Sequence, residues 1–524
     1  MFAAKFPGKR LPFTRLPLFC PISSFVQVRF QRAEEVQSRS EVDHDEPLPF
    51  DQIPGPHGRY ATAVEFYRQS NGFKKFYKIP EKLFKVYGPI FKQNATDKVP
   101  VVHVMEPADF ETVYRAEGKY PNRPPLDFLI EHRKRNSQPC EMVILNGEEW
   151  KKIRQAVAPK IMRPKALEEN IDNFNSVAKD AIKQLAKLKG SGGQDGEVPD
   201  LERELQKWST ESVGTLVLDA RIGLYDDPPS EEGVRLIQGV EDVVECMQIL
   251  IFGFVEKNLL PYVDTPSFNK FCKAVDSNDE VLRIFINKKI KELEDMAKRD
   301  DLQENQTVPL LTYLLAKKEL TLEEVFMTAG TVISAGVDTT SYTTLWILYH
   351  LARNPIVQEN LHQELYSILG KDGNVTSGNL AKLSYLKACV KESARITPVA
   401  AAIRRILEKD VVLSGFLVPA ETFIQVDFYS TGTSEKHFKN ALEYKPERWL
   451  RENKKEIHPF AILPFGHGPR MCVGSRMAEL EMYLLVAKLI QRFRLEYHHE
   501  PLEMTQKLLA VPEKPVRIKF VERY

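Results

Sequence analysis

The chain has 524 residues, of which 43% are hydrophobic, so it is long and apolar enough to bury a large core. It carries 73 basic and 72 acidic residues, and this balance argues against a nucleic-acid-binding protein. Its six cysteines are scattered without paired spacing, which argues against a zinc cluster and suits a reducing compartment.

The amino-terminal segment, residues 1–33, differs in composition from the rest of the chain. It carries six basic side chains and no acidic residue before Glu34. This composition is typical of a mitochondrial transit peptide. A membrane anchor is the alternative, but Arg15, Pro17 and Pro21 interrupt the apolar runs well short of the roughly 20 residues that a span requires.

A linker, residues 34–56, follows this segment. Its first part is charged, and its second part, Pro47–Pro56, is predicted to form a proline-rich hinge. Beyond the hinge, clusters of β-branched and aromatic residues predict short strands at Ile90–Gln93 and Val101–Val104. Apolar periodicity predicts helices at 107–118, 165–188 and 199–219.

Residues 120–145 are rich in proline and arginine and predict a long loop. The helix after it carries Trp150 and Arg154 four residues apart on one face, where an indole and a guanidinium can hold a carboxylate. On spacing alone, a solvated charged helix is the more common explanation. Further along, the strongly apolar stretch Val243–Tyr262 is predicted to break near Gly253.

The most apolar helix is predicted at residues 322–353. Between Glu324 and Arg353 the only Asp, Glu, Lys or Arg is Asp338, in the string AGVDTT at residues 335–340. A helix that is apolar all round belongs to a core or a membrane, and its threonines favour a core. A satisfied buried carboxylate is possible here, but a buried acid in a core helix is costly unless it has a function.

Two further groups of charged residues follow. The string KESAR places Glu392 and Arg395 three residues apart on a helix, which suits an ion pair, although exposed pairs of this kind are common and contribute under about 1 kcal/mol. Lys387 and Lys391 lie one turn apart beside it, and Arg476 occurs later. Such a basic patch suits an acidic electron donor, and a solvated helix face explains it equally well.

The string FGHGPRMCVG, residues 465–474, presents Cys472 at the beginning of a predicted helix. Its glycines and proline predict a tight loop that can approach a flat cofactor. The helix dipole and Arg470 favour a thiolate over a thiol. A lone cysteine is nevertheless more often an inert thiol than a ligand. Because position 471 is Met, the dinucleotide pattern GxGxxG is not met.

Phe465, Gly468, Arg470, Cys472 and Gly474 match FxxGxRxCxG, the haem-binding signature of the cytochromes P450. The strings WxxxR, AGVDTT and KESAR precede it in the expected order, and the chain resembles this family from the hinge to its end. The resemblance implies a mainly α fold with a small β region. Haem b would lie between the central helix and the cysteine-bearing helix.

The resemblance also implies a role for particular residues, with 57–524 forming a single catalytic domain. Cys472 would bind the haem iron. The remaining cofactor contacts would be Trp150, Arg154, Arg405, Phe465, Arg470 and Gly474. Dioxygen binding and proton delivery would involve Ala335, Gly336, Asp338 and Thr339. A structural network would join Glu392, Arg395 and Arg448.

Within the family, the string YLKACVKES resembles the mitochondrial branch, in which these lysines receive a two-iron two-sulfur, adrenodoxin-like ferredoxin. The resemblance implies a monooxygenase that hydroxylates a lipophilic sterol, secosteroid or xenobiotic with O2 and electrons from NADPH through ferredoxin reductase. It implies a peripheral position on the matrix side of the inner mitochondrial membrane, with part of Val243–Tyr262 at the lipid surface. Ser475 stands where that branch usually has arginine, so we expect donor affinity or choice to differ.

Two alternatives stay open at this point. One is an oxygen-independent haem-thiolate isomerase or dehydratase of peroxides, and the other is a haem or lipid-binding protein without turnover. The intact Asp338 and Thr339 pair and the basic face favour the monooxygenase. The carboxyl-terminal third looks closest to vitamin D and sterol hydroxylases. A likeness to insect and molluscan mitochondrial members with xenobiotic or hormonal roles also stays open, and the sequence does not identify the substrate.

Overall fold

Helices make up most of the described part of the fold, as the sequence predicts, and the strands described there form one small sheet and three short pairs. The computed structural model describes residues 46–72, 74–94, 99–189, 196–253, 256, 259–260, 262–298, 308–453 and 456–523. The predicted transit peptide, 1–33, and the linker residues 34–45 lie outside the described residues. The chain from Glu46 to Tyr524 forms one compact unit.

The helices begin and end at well-defined residues. In chain order they are α1 (Arg59–Gln69), α2 (Lys78–Tyr87), α3 (Pro107–Ala116), α4 (Asp127–Arg135), α5 (Gly147–Ile161), α6 (Pro164–Leu188), α7 (Leu201–Leu218), α8 (Glu231–Phe252), α9 (Pro266–Lys298), α10 (Leu310–Leu315), α11 (Leu322–Arg353), α12 (Pro355–Leu369), α13 (Ser377–Leu380), α14 (Ser384–Ile396), α15 (Phe428–Gly432) and α16 (Ser475–Arg492). Short 3-10 turns occur at Phe50–Gln52 and Pro446–Trp449.

The strands group into a four-stranded sheet and three pairs. They are β1 (Ile90–Gln93), β2 (Val101–Val104), β3 (Ile403–Ile406), β4 (Val411–Leu413), β5 (Phe416–Val418), β6 (Phe423–Val426), β7 (Phe493–Glu496), β8 (Met504–Gln506), β9 (Ala510–Pro512) and β10 (Lys519–Glu522). The sheet has the order β1-β2-β6-β3, and only the β2–β6 pairing within it is parallel. The pairs are β4–β5, β7–β10 and β8–β9.

The central helix α11 has the predicted bounds. A capping box fixes its start, because the Thr321 side chain accepts from Glu324 N and the Glu324 side chain accepts from Thr321 N. Most of its side chains are buried, and it packs against α7, α14 and α16. A helix that is apolar on nearly every face is stable because other helices cover it on several sides.

The prediction of a loop at 120–145 is wrong in its middle part, where α4 forms. Phe128, Leu129, His132 and Arg133 are buried along this helix, and Arg133 pairs with acidic side chains of other segments. The helix is short and its last turn, residues 132–135, is basic, so its apolar periodicity is weak in the sequence. Packing and ion pairing, which local composition does not reveal, stabilise it.

The predicted break at Gly253 is confirmed, because α8 ends at Phe252 and Gly253 takes an extended conformation. Among the residues that the structure describes, we find no helix that combines the length and the apolar character needed to cross a bilayer.

Candidate active site

Cys472 lies just before α16, in a loop that backbone hydrogen bonds close. Its N–H donates to the carbonyl of Phe465 at 2.9 Å. Gly466 and Gly468 have φ angles of 71° and 76°, in the left-handed region that favours glycine. A side chain at 468 would also meet the Glu117 carboxylate at 2.9 Å. Both glycines are therefore needed for the loop to present the cysteine.

The Cys472 side chain has accessible surface, yet protein atoms surround it. Burial raises the pKa of its thiol, while the Gly474 N–H and the charges of Arg154 and Arg123 lower it. An accessible thiol that is also enclosed faces an internal space rather than bulk solvent. The electrostatic role predicted for Arg470 thus falls to Arg154 and Arg123.

Arginine side chains from four segments converge beside the thiol: Arg123, Arg154, Arg405 and Arg470. Burial, reinforced by the charges of neighbouring arginines, lowers the pKa of Arg470 to about 9 and that of Arg123 to about 10. Burial also lowers the pKa of Arg154. One carboxylate, Glu117, accepts from Arg405 Nε. The cluster therefore carries excess positive charge and favours an anionic ligand.

Several polar atoms in this cluster are buried without a hydrogen-bond partner in the described part of the chain. They are Arg405 Nη2, Arg123 Nε, Tyr114 Oη and Glu117 Oε2. Buried polar atoms in native proteins nearly always have partners, and leaving one unpaired costs about 1–3 kcal/mol. These atoms point to a polar group that completes the cluster.

Trp150 and Arg154 both lie on α5, but they make different contacts. The Arg470 guanidinium lies over the Trp150 ring at 5.1 Å and donates to Asn146 Oδ1 at 2.7 Å. It also donates to backbone carbonyls at positions 121 and 145. Arg154 contacts Met162 Sδ at 3.2 Å. Trp150 thus supports Arg470, which ties the cysteine loop to the chain before α5.

One face of α11 is open, although other residues along the same stretch of the helix are buried. Ala335 and Thr339 are exposed and one turn apart, and Thr339 Oγ1 donates to the Ala335 carbonyl at 2.7 Å. Gly336 faces α7 instead, where an added Cβ would lie 3.0 Å from Val213 Cγ2. The structure gives Gly336 a packing role, and its part in dioxygen binding stays a prediction.

Asp338 points away from this open face, toward α7. Its Oδ1 accepts from Gln206 Nε2 at 3.1 Å, and the same amide donates to Glu241 Oε1 at 2.9 Å. Burial raises the pKa of Asp338 to about 6, and the nearby charges of Glu241 and Glu202 also raise it. Asp338 and Thr339 are adjacent, but their side chains project from different sides of the helix and meet different surroundings.

A cavity of about 1150 Å³ adjoins the arginine cluster through Arg123 and Arg405. Most of its remaining wall is apolar. Cys472 and Thr339 are outside its lining, so it is a space beside the thiol rather than the pocket that the thiol faces. A cavity of this size accommodates a ligand of several rings.

Glu392, Arg395 and Arg448 meet in a buried network. The Glu392 carboxylate accepts from Arg395 Nη2 at 2.7 Å and from Arg448 Nε at 2.9 Å. Arg395 also donates to the carbonyls of Gly432 and Ala441. The network fastens residues 432–449 to α14.

One acidic side chain, Glu479, lies among the basic residues Lys387, Lys391 and Arg476. Burial raises the pKa of Glu479, and the charges of these three residues lower it. Lys391 also lies 4.1 Å from the centre of the Trp449 ring. The structure therefore brings the three basic residues to one patch, which Glu479 partly neutralises.

A family model described as Cytochrome P450 matches residues 56–520. The chain belongs to the cytochrome P450 family. "Cytochrome P450 10" of Lymnaea stagnalis is 31% identical over 486 residues, covering 91% of this chain and 87% of the relative. The "1,25-dihydroxyvitamin D(3) 24-hydroxylase, mitochondrial" of Rattus norvegicus is 30% identical, covering 90% and 89%. "Cytochrome P450 12b1, mitochondrial" of Drosophila acanthoptera is 30% identical, covering 93% and 92%.

As a P450, the protein is a monooxygenase that uses haem b with a cysteine thiolate ligand. The residues present fit this cofactor. Haem carries two propionates. In the contacts described above, Glu117 provides the only carboxylate that pairs with one of the four arginines. The unpartnered donors of Arg405 and Arg123 suit propionate oxygens, and accessible surface occurs at Cys472. The negative charges of the thiolate and the propionates together would balance the positive charge of the arginine cluster.

The site residues predicted from the sequence of this P450 did not include Arg123, Glu117 and Tyr114. Arg123 lies in the segment predicted as a loop, and its burial depends on contacts with distant residues. Glu117 lies 288 residues before Arg405, its partner. No short motif in the sequence joins the two, so only an alignment or the fold could have indicated the pair.

Proposed function

We propose that this P450 hydroxylates a lipophilic sterol, secosteroid or xenobiotic in the mitochondrion. O2 would be the oxidant, and electrons would come from NADPH through ferredoxin reductase and a two-iron two-sulfur ferredoxin. The observation that carries the proposal is the accessible, enclosed thiol of Cys472 beside four converging arginines. Relatives with mitochondrial names, one of them a vitamin D hydroxylase, support the compartment and substrate class.

The cysteine loop and the arginine cluster would together hold the cofactor. Cys472 Sγ would bind the iron, with the Gly474 N–H stabilising its negative charge. Arg123, Arg154 and Arg405 would hold the propionates. Phe465 would close the loop through its carbonyl. When bound, haem supplies the activation of O2 that hydroxylation requires.

Asp338 would hold the proton that the reaction consumes. Its pKa of about 6 allows it to gain and lose a proton near neutral pH. Gln206 Nε2 fixes Asp338 Oδ1 on the side of Glu241, whose side chain is 28% exposed. Asp338 would therefore load a proton from that side and deliver it after turning toward the open face, where the Thr339 hydroxyl lies. The apolar side chains of α11 would keep bulk water away from this proton path.

The patch formed by Lys387, Lys391 and Arg476 would receive an acidic ferredoxin. Glu479 lies among these cations, so the patch is less positive than its basic residues alone suggest. Together with Ser475, this supports a donor interaction that depends strongly on the two lysines.

The last turn of α8 and the segment that follows it would contact the matrix face of the inner membrane. Tyr262 is 82% exposed and Val263 is 54% exposed, and Leu259 and Ile249 are also exposed. Exposed apolar side chains on neighbouring turns suit peripheral contact with lipid. Such a position would let a lipophilic substrate enter from the bilayer.

Reconstitution of the purified protein with ferredoxin, reductase and NADPH tests the proposal. We expect hydroxylated product that depends on each component, and thiolate-type absorption of the reduced carbon monoxide complex. Cys472→Ser should abolish both, whereas Cys140→Ser, at a half-buried cysteine outside the cluster, should keep both. Turnover of hydroperoxides without any donor would instead support a peroxide isomerase or dehydratase.

A further inference from the structure

One side chain, Asn146, joins the segment before α4 to the loop that carries Cys472. Asn146 is the residue just before α5, a position at which asparagine commonly caps a helix by accepting from its first N–H groups. Its backbone carbonyl accepts from Trp150 N at 3.3 Å, as expected for this position. Its side chain, however, makes no capping hydrogen bond within the described residues of the helix. The amide is therefore used for something other than the start of α5.

The Asn146 amide pairs with the backbone of Arg123 at two points. Its Oδ1 accepts from Arg123 N at 3.1 Å, and its Nδ2 donates to Arg123 O at 3.0 Å. Residues 117–126 lie between α3 and α4, so no helix or extended strand satisfies these two backbone groups. An amide offers a donor and an acceptor side by side, and here it takes the place of a neighbouring strand.

Arg470 determines which end of the amide faces each group. Its Nη1 donates to Asn146 Oδ1 at 2.7 Å, so the oxygen lies at this end and the NH2 group faces the Arg123 carbonyl. The Arg123 guanidinium in turn donates to the Arg470 carbonyl at 3.3 Å. The three residues thus form a closed ring of hydrogen bonds that holds Arg123 at its backbone and at its guanidinium.

The orientation of Arg123 matters because one of its donors is still available. Arg123 Nε is buried and has no hydrogen-bond partner among the described residues. Burial lowers the pKa of Arg123, the charge of Arg405 lowers it further and that of Cys472 raises it, so the guanidinium lies within electrostatic reach of both. An arginine side chain has many rotamers, and fixing it beforehand reduces the entropy that is lost when an anion binds.

We propose that Asn146 is a positioning residue for haem retention, which acts through Arg123 by holding this arginine toward a propionate. The amide is the group required, because a carboxylate at 146 would oppose the Arg123 carbonyl and a shorter side chain could not reach both backbone groups. The inference rests on the proposed placement of the propionates and adds the residue that fixes their arginine.

Two measurements on the full-length ferric holoprotein test this inference. Haem release to excess apomyoglobin measures retention, and the propionate bending bands of the resonance Raman spectrum report the contacts of the propionates. Asn146→Ala should release haem about tenfold faster, a factor that corresponds to about 1.4 kcal/mol, and should shift a propionate band. Arg470 keeps its hydrogen bonds to the carbonyls at 121 and 145, so thiolate-type absorption of the reduced carbon monoxide complex should remain.

A double variant tests whether Asn146 acts through Arg123. Arg123→Met should accelerate haem release at least as much as Asn146→Ala does, and it should shift the same Raman band. Adding Asn146→Ala to Arg123→Met should then change the release rate by less than about twofold, because the residue that Asn146 positions is already gone.

Two further variants separate positioning from support of the fold. Asn146→Asp keeps the size of the side chain and its acceptors but loses the donor to Arg123 O, so it should release haem faster while its far-ultraviolet circular dichroism matches that of the wild type. Asn122→Ala is the matched control on the same segment. The Asn122 side chain donates to Glu408 Oε1 at 3.5 Å instead, so this variant should keep the wild-type release rate and Raman bands.

The inference is overturned if Asn146→Ala releases haem at the wild-type rate, or if it accelerates release by the same factor with and without Arg123→Met. Either result, in a protein that still hydroxylates with its electron donor, leaves the proposed function standing. Conversely, a wild-type holoprotein without thiolate-type absorption ends the proposed function, while haem release still reports on Asn146.

Discussion

Removing the charge of Glu392 should destabilise the protein strongly. Its carboxylate is fully buried. The donors to it are Arg395 Nε and Nη2 at 2.8 and 2.7 Å, Arg448 Nε and Trp449 Nε1 at 2.9 Å, and Lys445 N at 3.0 Å. In Glu392→Gln, one oxygen becomes an NH2 group that opposes these donors. Two guanidinium groups then lose the only carboxylate among these contacts.

The expected loss in the free energy of unfolding is about 3–5 kcal/mol, the usual cost of breaking a buried ion pair from one side. Arg395 also donates to three carbonyls, at 432, 441 and 443. Because these hydrogen bonds remain in the variant, the guanidinium stays partly satisfied and the loss stays within this range. A single charged hydrogen bond contributes about 1.5–3 kcal/mol, so the figure corresponds to roughly two such bonds.

Urea unfolding, followed by circular dichroism and by thiolate-type absorption, measures this loss. Glu81→Gln is the matched control, because Glu81 pairs with the exposed Lys85 at 2.7 Å within α2 and should cost under about 0.5 kcal/mol. Replacing Glu392 and Arg395 together by leucine should cost less than the sum of the single changes. Equal losses for Glu392→Gln and Glu81→Gln would refute the reasoning.

Three further predictions concern packing, protonation and electron delivery. Gly336→Ala should cost about 1–3 kcal/mol in thermal unfolding because its Cβ meets Val213, and Val213→Ala should restore most of this; no loss would contradict the packing. Burial raises the pKa of Asp338 to about 6, so the folded state binds its proton more tightly than the unfolded chain does, and stability falls as pH rises from about 4 to 6. Asp338→Asn should flatten this fall and, at pH 7, be more stable by up to about 3 kcal/mol; an unchanged urea-unfolding profile against pH would argue against it. Lys387→Gln with Lys391→Gln should raise the KM for ferredoxin several-fold and reduce its salt dependence while substrate binding stays the same.

Local patterns in the sequence predicted much of the fold. The bounds of α11 follow from a long apolar run in which Asp338 is the only Asp, Glu, Lys or Arg between Glu324 and Arg353. The strands β1 and β2 follow from short apolar and β-branched clusters. At Glu421, in contrast, the φ of 63° is a left-handed backbone conformation that this residue type does not predict.

The composition of the site depended on contacts that local patterns do not encode. Arg470 follows the signature motif, but its guanidinium reaches back to the chain before α5 and supports the loop. Gly336 belongs to the motif of the open face, yet its missing side chain accommodates α7. In both cases the contact partner comes from a segment more than a hundred residues away.

Threonine hydroxyls share several of the backbone carbonyls of α11 with its helical hydrogen bonds. They donate to carbonyls one turn earlier, in the pairs Thr331 to Met327, Thr339 to Ala335, Thr343 to Thr339 and Thr344 to Thr340. Shared carbonyls weaken the helical ladder and let a helix bend. On the side of α7, Ser209 Oγ ties down the Val337 carbonyl at 2.8 Å. The helix α11 can therefore bend locally while this hydrogen bond still holds it against α7.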